Sequence, residues 1–123
     1  MKVGTGKVDY KNFEVTSELT GERIVVEFRW LQTAISLRHS DTVDVKFLVN
    51  GTGKVVALPH GALEQVCRKV GVGLSDDLCL RIAAEHLREA LLTGTDAEKD
   101  LLTLTPARVE ELVESQRQYT GRR

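Results

Sequence analysis

The segment from Thr42 to Leu58 constrains the fold more than any other part of the chain. Thr42-Val43-Asp44-Val45-Lys46-Phe47-Leu48-Val49 alternates with period two, Asn50-Gly51-Thr52-Gly53 turns, and Lys54 to Leu58 returns. Two strands joined by such a turn form a hairpin, with Val43, Val45, Phe47 and Val49 on one face. A helix opens after Pro59, where Leu63, Val66, Cys67 and Val70 recur at i, i+3, i+4 and i+7. The strand face and the helix face are two apolar surfaces ready to meet.

The rest of the chain extends this unit in both directions. Arg23 to Leu31 is predicted as a strand with Ile24, Val26, Phe28 and Trp30 on one side and Arg23, Glu27 and Arg29 on the other. Val8, Tyr10, Phe13 and Val15 alternate imperfectly, with a phase slip at Asn12 that predicts a strand carrying a bulge. Leu19 to Glu22 reads as a turn, and so does His39-Ser40-Asp41. Gly71-Val72-Gly73 stops the first helix, and Ser75 caps a second that runs to about Thr93, with Asp76 and Asp77 at its positive end. Cys79, Leu80, Ala83, Ala84, Leu87, Ala90 and Leu91 form its broad apolar face. Leu101 to Leu104 reads as a short strand, and Thr105-Pro106 starts a last helix. That helix has only Val109, Leu112 and Val113 as a stripe, so it is expected at the periphery, with fraying from Gln116 onward.

The 123 residues form one α+β domain by the size prior, with residues 1–6 and 116–123 expected to be flexible. The expected architecture is an antiparallel β-meander of four to five strands with the two central helices on one face and a C-terminal strand and helix. A small barrel closed by the helices is the alternative.

Charge and composition exclude some functions. Seventeen Lys and Arg against eighteen Asp and Glu give no broad basic field, so nucleic acid is not expected as a partner. No apolar run is long enough for a membrane span, and the first residues lack a signal-peptide core. With Cys67 and Cys79 both inside apolar helical patterns, free thiols and a cytoplasmic location are expected.

The chemically suggestive residues mostly have ordinary explanations. His60 and Cys67 are seven apart, as are Cys79 and His86, which brings to mind zinc. Seven helical residues put each pair about 10.5 Å apart along its axis, too far for one ion, so no metal is expected. His39-Ser40-Asp41 names the residue types of a hydrolase triad, but sequence neighbours cannot converge in that geometry. Gly51-Thr52-Gly53-Lys54 lacks the earlier Gly, the following Ser or Thr and the following helix of a phosphate loop. No catalytic residue and no cofactor is assigned. His60, at a strand-to-helix junction, heads the ligand-binding candidates, with His39 and His86 behind it, although capping the helix start is its expected task.

From Val43 to about Leu112 the order of parts resembles a family of short bacterial proteins of unknown function. The shared features are the strand with a Gly turn (Val43 to Leu58), a block like Ala62-Leu63 opening a helix, an Arg-containing second helix (Arg81 to Arg88), and a short strand with a terminal helix (Leu101 to Val113). The resemblance implies this fold and a bacterial cytoplasmic origin, and it carries over no site residue. The function expected from these residues is a non-enzymatic protein-interaction module that self-associates as a homodimer. The alternative is a small-molecule-binding protein or minor enzyme with a pocket at the junction near His60.

Overall fold

A computed structural model of the chain describes residues 9–34 and 41–120. Its elements are β1 (Asn12–Thr16), β2 (Arg23–Ala34), β3 (Thr42–Val49), β4 (Thr52–Pro59), α1 (His60–Val70), α2 (Asp76–Thr93), β5 (Leu101–Thr103) and α3 (Pro106–Thr120). The five strands form one sheet in the order β1-β2-β3-β4-β5. The first four make the expected antiparallel meander; β5 returns after α1 and α2 to pair parallel with β4, so the sheet is mixed.

The β3–β4 hairpin closes through Asn50 and Gly51, whose φ angles of 50° and 86° are those that a two-residue turn matched to strand twist requires. The Asn50 side chain also accepts a hydrogen bond from the Val25 amide at 2.9 Å, tying the turn to β2. Val26, Val45, Phe47, Val56 and Leu58 are fully buried on one sheet face, and α1 and α2 cover that face with Leu63, Ile82, Ala83 and Leu87. The helix ends follow their sequence signals: the Ser75 hydroxyl accepts from the Leu78 amide at 3.1 Å, and Gly71 and Gly94 end α1 and α2 with positive φ.

Two expectations are corrected. In β2 the ladder to β3 shifts between Phe28 and Trp30, leaving Arg29 as the extra residue of a bulge. Beyond it the faces exchange, so Leu31 packs against the core whereas Trp30 lies on the solvent side at 39% exposure. The last helix is not peripheral either. Its stripe is narrow but wholly enclosed, with Val109 and Val113 at 0% exposure, because α3 packs chiefly on α1 and α2. It continues to Thr120, and Gln116 is buried.

The turn after β1 docks against the end of α2, where the Glu18 amide donates to the Leu92 carbonyl at 2.8 Å. A Cβ at Gly94, where φ is +83°, would fall 2.1 Å from Leu19 Cδ1. Leu19 is exposed and can swing aside, so the backbone strain dominates, and Gly94→Ala should cost about 1–2 kcal/mol in urea unfolding. Gly73→Ala, with nothing within 4 Å, serves as the control and should change little.

Candidate functional site

The three histidines fall in different places. His39 lies outside the described residues. His60 is the first residue of α1 and half-buried; its amide donates to the Asp41 carbonyl at 3.0 Å. Pro59 is the N-cap of α1 and no side chain caps that helix, so the expected capping role for His60 does not hold.

His86 lies in the seam between α2 and α3, facing Arg108, a residue that sequence reasoning missed. Arg108 Nε donates to His86 Nδ1 at 3.1 Å, Nη1 donates to Glu111 at 2.9 Å, and Nη2 pairs with the Glu89 carboxylate. His86, Glu89 and Arg108, with Thr93, Thr95 and Asp96, line a cleft of about 150 Å³. Burial pushes the His86 pKa below its ordinary value and the Arg108 charge adds to this, while Glu89 and Asp96 act in the opposite direction. A neutral imidazole accepting at Nδ1 carries its proton on Nε2. The arrangement fastens α3 to α2. Its hydroxyls are engaged locally, Thr93 donating to the Glu89 carbonyl at 3.0 Å.

Because the folded-state pKa of His86 is lowered, the folded protein binds fewer protons than the unfolded chain near the ordinary histidine pKa. Its contribution to stability is complete above about pH 6.5 and is lost as the pH falls toward the folded-state value. Protonation would also put a cation against Arg108. Urea midpoints measured at about pH 7.5 and about pH 5.5 should therefore drop further for the wild type than for His86→Gln. Equal drops would remove His86 as the cause.

The cysteines are packing residues. Cys67 and Cys79 are free and buried, and burial raises both thiol pKa values, that of Cys79 to about 12. A thiol held protonated by burial is a poor nucleophile at neutral pH. Among the described residues no group of three or more His, Cys, Asp or Glu could hold a metal ion. Lys54 falls on the core face with Val56 and Leu58, 7% exposed, and its ammonium donates to the Lys99 carbonyl at 2.6 Å, anchoring the segment before β5.

Several exposed apolar residues gather on the sheet face opposite the helices. Cross-strand register aligns Trp30 with Lys46, Lys46 with Val55, and Val55 with Leu101, giving one row across four strands. Glu27 and Leu48 pair in the row above, with Val25 beyond. Leu101 is 56% and Val25 48% exposed, and Lys46 Nζ lies 5.9 Å from the Trp30 ring centroid. The bulge at Arg29 is what delivers Trp30 to this face.

No protein-family model, curated protein or solved structure matches the chain. Among the described residues no helix is long and apolar enough to cross a membrane.

Proposed function

We propose that this chain is a non-enzymatic protein-interaction module that self-associates, working in the cytoplasm. The observation that carries the reading is the sheet face that no element among the described residues covers, where Trp30, Val25 and Leu101 are exposed on a sheet whose opposite face is closed by helices. Scattered exposed apolar residues are ordinary, but Trp30, Val55 and Leu101 share one row across four strands, interrupted only by Lys46, and a row of that kind suits an interface. Closed two-fold dimers are the commonest soluble assemblies, so a homodimer is the default form. Two buried free thiols support a reducing compartment.

Light scattering after size exclusion at micromolar concentration tests the reading. The expected mass is about twice the 13.7 kDa of one chain. A mass that stays at the single-chain value as the sample is concentrated would sink it.

A further inference from the structure

Resting on the self-association reading, we infer that the partner seated on the open sheet face is a second copy of this chain, held by reciprocal pairing of Lys46 with Glu27 around stacked Trp30 side chains. Four outward positions form a block at the centre of the face. Glu27 on β2 pairs with Leu48 on β3, and Trp30 on β2 pairs with Lys46 on β3. Opposite charges therefore occupy one diagonal of the block and large apolar side chains the other.

A two-fold axis lying between two such faces along the apolar diagonal has a simple consequence. It sets Lys46 of each copy opposite Glu27 of the other, and it brings Trp30 and Leu48 against their own counterparts. The face is thus self-complementary in charge and in apolarity, as an isologous interface requires.

The other outward charges mostly have partners already. Glu14 and Arg23 pair at 2.8 Å, and Asp44 accepts from the Thr42 hydroxyl at 2.8 Å. Glu27 and Lys46 enter none of the ion pairs found among the described residues. Arg29, the extra residue of the bulge, is exposed beside Trp30 at the margin of the block. The aliphatic stem of Lys46 lies along this face. A Cβ on Gly53 would lie 2.9 Å from Lys46 Cε, and the ammonium is near the Trp30 ring, so the charge sits beside the apolar diagonal.

Charge exchange tests the geometry, with Lys46→Glu, Glu27→Lys and the double variant examined by sedimentation and by the emission of Trp30, the chain's single tryptophan. Each single variant places like charges together at both reciprocal contacts and should dimerise at least about tenfold more weakly than the wild type. The double variant, and an equimolar mixture of the two single variants, restores both opposite-charge contacts and should recover the dimer and the blue-shifted Trp30 emission. Recovery in the mixture also shows that neither single variant failed merely by misfolding. A wild-type dimer that both single variants form equally well would overturn the placement while leaving self-association standing, as would singles that weaken with no recovery in either combination. A wild type that stays monomeric at every concentration would overturn both.

Discussion

Val113→Asp should destabilise the protein by several kcal/mol and lower its melting temperature by roughly ten degrees or more. Val113 lies on α3 at 0% exposure, within the same apolar cluster as Leu63, Val66 and Leu87. A carboxylate there loses its hydration without gaining a partner, a cost of several kcal/mol against a total stability of about 5–15 kcal/mol for a domain of this size. Val66→Asp on α1, at 8% exposure, should do comparable damage, since both side chains belong to that cluster. Glu64→Asp, on the exposed side of α1, should change stability by less than about 0.5 kcal/mol. Circular dichroism melts decide between an integral and a marginal α3: if Val113→Asp melts within a few degrees of the wild type, α3 is not part of the cooperative core.

That contrast shows what the sequence of α3 could and could not convey. Its three apolar residues mark the inward side correctly, but how deeply a stripe is buried depends on the groove that receives it. Here α1 and α2 provide that groove, and a narrow stripe suffices. The hairpin was legible because Asn50-Gly51 fixes its own turn and the turn fixes the register through to Thr42 and Pro59. The α2 boundaries were legible because Ser75 and Gly94 act locally. The bulge in β2 was not. Ile24, Val26, Phe28 and Trp30 continue one apolar phase, Leu31 begins the other, and only the ladder to β3 decides between them. The parallel pairing of β5 likewise depends on a partner distant in the chain.

The same distinction holds for the candidate sites. His60 attracted notice for its place at a junction, yet its side chain caps nothing. His86 was a candidate by residue type alone, and its chemistry comes from Arg108, 22 residues away. One signal was available. A basic residue in the first turn of a helix opposes the helix dipole, and α3 has no acid in that turn, so Arg108 needed a compensating contact elsewhere and finds it in Glu89 and Glu111. Lys54 was also visible in principle, since period two places it on the same face as Val56 and Leu58. The open sheet face could be sensed from Val25, Leu31 and Leu48 on the polar side of their strands, but Leu31 packs on the core and Trp30 takes its place outside, because the bulge exchanges the two.

Phe47→Ala should be the most damaging simple truncation, lowering stability by about 3–5 kcal/mol. Phe47 is fully buried on β3, the middle strand of the sheet. Its ring meets Phe28 edge to face at a centroid separation of 6.0 Å. Removing it opens a cavity walled by paired backbone on one side and helices on the other, neither of which can collapse to fill the space. Phe28 is only partly buried, beside Leu31 and Leu80 in an open cleft, so solvent can occupy the space that Phe28→Ala leaves and the loss should be smaller. Phe47→Leu retains most of the volume and should cost less than about 1.5 kcal/mol. Urea midpoints at unchanged slope should therefore fall in the order wild type, Phe47→Leu, Phe28→Ala, Phe47→Ala. Equal losses for the two alanine variants would mean that the core is not centred on β3 as the burial of Phe47 implies.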